Sequence, residues 1–198
     1  MKIIRFAAAS AFFLALACFI YWVHISFMHV NVVFYSAIVD GVLAAFITAG
    51  LVMALRSFSV FSGFEKLQML IIWLLAAYAL AISVPTVLDR SLSFYILEKL
   101  QQRGGGIQQS RFTEVFTDEY LKEHRLVDVR LTEQLESGTI RIENGCVRLT
   151  PKGDGLASFS RFFRRHLLPK QRLLMGQYSD DLTDPFRNSA AQKDYTCQ

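Results

Sequence analysis

The stretch Val32-Val33-Phe34-Tyr35-Ser36-Ala37-Ile38-Val39-Asp40-Gly41-Val42-Leu43-Ala44-Ala45-Phe46-Ile47-Thr48-Ala49-Gly50-Leu51-Val52-Met53-Ala54-Leu55 decides the fold. It carries one charged side chain, Asp40, over a length that exceeds the roughly 20 apolar residues a helix needs to cross the hydrocarbon core of a bilayer. Segments of the same kind flank it at 3–23 and 67–88, separated by the more polar stretches 24–31 and 56–66. The expected fold class begins with an α-helical membrane domain, three transmembrane helices within residues 1–88.

Composition divides at the same place. The 198-residue chain is 53% hydrophobic with a mean hydropathy of +0.31. Residues 1–88 hold four basic groups, Lys2, Arg5, Arg56 and Lys66, and two acidic ones, Asp40 and Glu65. The remaining 17 basic and 15 acidic residues lie in 89–198, enough chain for one small soluble domain. A surplus of two positive charges there makes no electrostatic case for nucleic acid, which needs a clustered basic face. Cys18, Cys146 and Cys197 share no metal-ligand spacing. Cys18 lies in the first apolar run, so Cys146 and Cys197 are the two that could pair in an oxidising compartment. No metal or cofactor is expected.

Lys2 and Arg5 ahead of an apolar run also suit a signal peptide, and Leu14-Ala15-Leu16-Ala17-Cys18 partly matches a lipoprotein cleavage site. The run continues through Phe19-Ile20-Tyr21-Trp22-Val23, longer than a signal core, and is read as a retained span. Lys and Arg mark the N-terminus and the second loop but are missing from the first. The positive-inside rule therefore places the N-terminus in the cytoplasm of a bacterial inner membrane. Three spans then carry 89–198 to the periplasmic side, although Arg90, Lys99 and Arg103 pull the other way. Tyr21 and Trp22 fit an aromatic belt at the outer interface.

Asp40 lies about a third of the way along the second span, where an unpaired charge costs several kcal/mol. Two readings stand: a neutral acid bonded to a neighbouring helix, with Tyr78 or Ser83 as candidate donors, or a contact to a partner membrane protein or polar headgroup. Gly41, with Gly50 and the alanines of that span, supplies a small surface for close helix packing. Asp40 and Gly41 are the candidate intramembrane contact.

Beyond the third span, Ser91 is a candidate N-cap for a helix carrying Leu92, Tyr95, Ile96 and Leu100, which Gly104-Gly105-Gly106 ends. Ile107-Gln108-Gln109 reads as a short extended piece. Ser110 is placed to cap a second helix bearing Phe112, Val115, Phe116 and Tyr120. A third helix is expected over 126–137, with Val127, Leu131 and Leu135 in one row. Thr139-Ile140-Arg141-Ile142-Glu143 alternates as a strand, Asn144-Gly145 is a strong two-residue hairpin signal, and Cys146-Val147-Arg148-Leu149 returns. Thr150-Pro151 opens a last helix with Leu156, Phe159, Phe162 and Phe163.

That order, with Val147-Arg148-Leu149-Thr150-Pro151-Lys152-Gly153 leading from hairpin to helix, resembles the wing of MarR-like winged-helix proteins. The resemblance covers about 90–168. It implies a small α+β winged-helix-like domain, and in the family it would imply DNA binding through the third helix and the wing. The residues themselves oppose that use. The third helix offers Asp128, Glu133 and Glu136 against Arg130, and an acidic surface repels a polyanion. A fold does not dictate its function, so the scaffold is expected to serve protein contact.

The organisation expected is thus 1–88 membrane, 89–168 winged-helix-like, and 169–198 a C-terminal arm and polar tail. Arg161, Arg164, Arg165, Lys170 and Arg172 form a basic cluster with His166. It is either a solvated helix end favoured by the dipole or a docking site for anionic lipid or an acidic partner. Asp180, Asp181 and Asp184 in the tail fix no metal geometry. No hydrolase, metalloprotease, phosphate-loop or dinucleotide motif occurs, and His24, His29 and His124 fall at interfacial or charged helix ends. The expected function is a non-catalytic accessory or interaction subunit of a bacterial inner-membrane complex of the cell envelope, with a glycan or lipid-linked sugar assembly enzyme as one partner class. A larger integral membrane protein and the lipid bilayer are its expected partners. The competing expectation is a membrane-tethered, DNA-binding regulator.

Overall fold

A computed structural model describes residues 2–187. The protein is mostly helical, with three long apolar helices followed by a region holding two small sheets. Helix α1 spans Lys2–Phe27, α2 spans Val33–Ala54, and α3 spans Gly63–Ala81. A π-helical turn, Ile82–Thr86, joins α3 to α4, Val87–Arg90, so that Gly63–Arg90 forms one 28-residue segment. All three segments are long and apolar enough to cross a membrane. The first runs four residues past the boundary expected from sequence, which puts His24 inside the helix.

The bundle closes on small residues of α2. Ala44, Ala45 and Ala49 admit Phe13 and Trp73, whose rings stack at 6.0 Å. In hydrocarbon every polar group needs a partner within the protein. Accordingly Trp73 Nε1 donates to Ser10 Oγ at 3.0 Å, and Thr48 Oγ1 donates to the Ala44 carbonyl at 2.8 Å. At the end where the chain begins, Ser62 and Glu65 form a reciprocal cap on α3. Lys2 binds Glu65 at 2.6 Å there, and Arg5 donates to the Ser57 carbonyl.

The π turn has a local cause. Pro85 lacks an N–H, which denies the Ala81 carbonyl its ordinary helical donor. Thr86 Oγ1 supplies that bond instead, at 2.7 Å.

Ser91 caps α5, Leu92–Gln102, by accepting from the Phe94 N–H. Gly104 and Gly105, at φ +77° and +99°, end it. The stretch expected to be extended at 107–109 forms no strand. Ile107 instead packs onto a cluster of Tyr95, Val115 and Tyr120, and Gln109 starts a 3-10 turn. The next helix is broken into α6, Phe112–Glu114, a π-helical stretch Val115–Tyr120, and α7, Leu121–Glu123. No side-chain cap forms at its start, so Ser110 does not play the part expected of it. Helix α8 follows over Leu126–Glu136.

Within α8 the chain divides into two compact units, Met1–Val129 and Arg130–Gln198. In the second, β1, Ile140–Glu143, pairs antiparallel with β2, Cys146–Leu149, in the register Ile140↔Leu149. Asn144 and Gly145 sit at φ +52° and +75°, the positive values the tight hairpin turn demands. Thr150 accepts from the Gly153 N–H at 3.1 Å and opens α9, Pro151–Leu167. Gly153 lies so close to β1 that an added Cβ would stand 2.0 Å from the Thr139 carbonyl oxygen.

The arm after Pro169 is more ordered than its sequence suggests. Strands β3, Arg172–Leu174, and β4, Gln177–Ser179, form a second hairpin around Met175 and Gly176, both at positive φ. Arg187 binds Asp180 and Asp181, and Arg165 binds Asp184, so these aspartates serve ion pairs. No group fit to hold a metal occurs among the described residues. Residues 188–198, Cys197 included, lie outside the described part.

Candidate functional site

The polar centre of the membrane helices is an ion-pair geometry between α1 and α2. His24 Nδ1 stands 2.8 Å from Asp40 Oδ1 and 3.0 Å from Oδ2. The Asp40 side chain is 5% exposed and that of His24 19%. The two short contacts to the carboxylate hold the orientation of the ring.

Helix geometry brings the two together. His24 lies three residues before the end of α1, whereas Asp40 lies seven after the start of α2. Side chains on a helix lean toward its N-terminus. In this antiparallel pair His24 leans away from the connecting turn and Asp40 leans back toward it, which closes an axial offset of about 6 Å. Sequence reasoning missed this partner because it ended the first helix at Val23 and placed His24 in a loop. The usable signal was the count of residues from the turn, combined with that lean.

Gly41, the neighbour of Asp40, faces a different helix. A Cβ there would stand 2.7 Å from Ala77 Cβ, so α2 and α3 approach too closely for any side chain. Both residues singled out in this span are therefore turned into the chain's own bundle. Asp40 takes its bond from His24, not from Tyr78 or Ser83, and presents almost no surface to a second protein. The contact that needs its acid is intrachain.

Below the pair, an apolar cavity of about 300 Å³ opens between the helices. Ala17, Cys18 and Tyr21 form one wall, Ala37 and Gly41 a second, and Ala77 with Pro85 a third. Small side chains and the π turn leave this space. Its walls are almost wholly apolar and suit hydrocarbon.

A second polar cluster lies outside the spans. Lys99, 3% exposed, binds Glu119 at 2.7 Å and Glu123 at 2.6 Å, and donates to Gln102 Oε1 at 3.0 Å. Tyr95 donates to the other oxygen of Glu123 at 3.0 Å, and Arg103 reaches Glu119 at 3.0 Å. The hydrogen bonds from Lys99 hold both carboxyls below their ordinary range, and the two carboxylates hold the ammonium above its own. Every member is partnered, so the cluster clamps α5 to the broken helix 109–123. The spacing of Glu119 and Glu123, four apart on one helical face, was the sequence signal for it.

The basic group near the end of α9 is used in part by the tail. Arg165 pairs with Asp184 at 2.7 Å, and Arg164 donates to the Leu182 carbonyl at 3.4 Å. Arg161, Lys170 and Arg172 are exposed, with Arg172 on β3.

No protein-family model, curated protein or solved structure matches this chain.

Proposed function

We propose that the protein is a non-catalytic interaction subunit of a bacterial inner-membrane complex, anchored by its three apolar helices. One observation carries this reading. Among described residues from 130 onward, Thr139 and Gly153 alone are buried, and neither brings an apolar side chain into a core. The same segment exposes Leu173 at 59%, Met175 at 85% and Tyr178 at 71% on its second hairpin. A soluble segment with this balance gains little from burial within itself and gains most when another surface covers it. Hairpin edges also offer unpaired backbone groups to a partner strand.

In this reading the winged-helix-like order of helices and hairpin is a contact module. The acidic groups of α8 support that use over DNA binding, and the loop charges of the spans support a periplasmic location. The larger partner is an integral membrane protein, with an envelope glycan or lipid-linked sugar enzyme as the class proposed. The competing reading, a tethered transcription regulator, draws on Arg141 and Arg148, which face each other across the wing.

Affinity purification of the full chain in mild detergent tests the proposal: a stoichiometric membrane protein should accompany it. A lone, monodisperse species would overturn it. A reporter fused after Gln198 separates the two readings, since a periplasmic signal eliminates the regulator and a cytoplasmic one eliminates the location proposed here.

A further inference from the structure

Helix α9 is the most strongly amphipathic helix of the chain. At 100° per residue, Leu156, Phe159, Phe163 and Leu167 fall on one face, and all four are exposed, by 52, 61, 38 and 60%. Phe162 lies at one border of that face, with His166 stacked on it at 4.6 Å. Arg164 lies at the other border. Arg161 and Arg165 occupy the opposite side, and Asp154 is the helix's single acid. The tail segment that folds back on this helix does so through Arg164 and Arg165. It leaves the four apolar side chains uncovered.

We infer that α9 lies in the surface of an anionic bilayer, with Phe159 and Phe163 inserted among the acyl chains and its cations toward the headgroups. Charge selects this occupant. Off the apolar face the helix carries three arginines against one Asp, and Lys170 and Arg172 follow directly, while Lys152 is bound to the Ser137 carbonyl. A large amphipathic moment, a basic polar face, low net hydrophobicity and aromatic anchors are what an interfacial helix requires. The His166 ring stacked on Phe162 brings a polar group to the border of the apolar face. The three spans hold the chain at a membrane, so docking needs no encounter from bulk solution. The inference goes beyond the interaction role proposed above, which rests on the second hairpin and an uncharacterised partner.

The full chain in vesicles, with no other protein present, provides the test. A photoreactive benzoylphenylalanine replaces Phe159 in one variant, Phe163 in a second and Ser158, on the polar side, in a third. Irradiation in phosphatidylglycerol-containing vesicles should give lipid-mass adducts from 159 and 163 and few from 158. Phosphatidylcholine vesicles should lower the yield, and Arg161→Gln should lower it about fivefold in the anionic ones. An adduct of twice the chain mass would show that a second copy covers the face and would overturn the inference. So would equal lipid yields at 158 and 159. Copurification of a membrane partner tests the interaction role alone, because neither result depends on the other.

Discussion

The three-helix bundle and the segment from Arg130 onward are built in opposite senses. The bundle turns its polar groups inward: Asp40, Thr48 and the Ser10–Trp73 bond lie among its own helices, and apolar side chains face out. Among its described residues the later segment buries a threonine and a glycine and shows its phenylalanines, Tyr178 and most of its leucines to the outside. Helices this long and apolar are suited to hydrocarbon, where an unpartnered polar group is the expensive mistake. Water makes exposed apolar surface expensive instead. The first region therefore satisfies its own requirements, while the second leaves most of its apolar side chains exposed.

Three changes would sharpen or break that contrast. The largest effect is expected at Gly153, where the hairpin and α9 meet backbone to backbone. Gly153→Val should cost about 3 kcal/mol, since the intruding carbons meet a carbonyl that cannot move aside. In the full chain, proteolysis within 137–167 should accelerate about a hundredfold where cleavage follows the open population. An unchanged rate would mean that this junction is not what organises the second unit.

The second change is in the bundle. His24→Leu should destabilise the protein by about 1–2 kcal/mol in detergent, and His24→Leu with Asp40→Leu should recover most of that loss. Breaking a buried pair in a soluble protein costs more. In a membrane protein the acid can protonate, and hydrogen bonds between helices reach about 1.7 kcal/mol at most. If the double variant is as unstable as the single one, the two residues do not act as a pair.

The smallest effect concerns pH. Glu119 and Glu123 titrate below their ordinary value of 4.5 in the folded state, held down by bonds from Lys99. Their contribution is present above that value and fades as pH falls through the depressed one. Lys99 is shifted upward, so its contribution is complete below its ordinary value of 10.5 and is lost only at higher pH. The stability gap between the natural protein and Glu119→Gln should be measurable at pH 7 and shrink toward pH 3. A gap independent of pH would dismiss the ion pair. Partial exposure of both glutamates keeps the effect modest.

Signals held within a few residues were legible in the sequence. The three spans, the Ser91 cap, the Asn144-Gly145 turn and the Thr150-Pro151 helix start each depend on local chemistry, and each forms. The pairing of His24 with Asp40 depends on how two helices slide past one another, which composition does not encode. Lys99 reads as a solvated lysine until Glu119 and Glu123 arrive from another helix. The second hairpin escaped notice because its turn uses Met175, a residue that rarely takes positive φ. Ile107 and its neighbours suggested a strand, but among the described residues no strand pairs with it and a small aromatic cluster takes Ile107 instead.

The proline-bearing turn at the far end of the third span has a consequence for direction. A π turn holds an extra residue within an otherwise regular helix, and each residue of an α-helix carries the chain about 100° around its axis. Ile82–Thr86 therefore works as an index notch. Had the same residues run as regular α-helix, Asp89, Arg90 and the start of α5 would stand about a quarter of a revolution further around the axis. The azimuth at which the chain leaves the third apolar helix is stored in five residues, and straightening them at constant length would rewrite it.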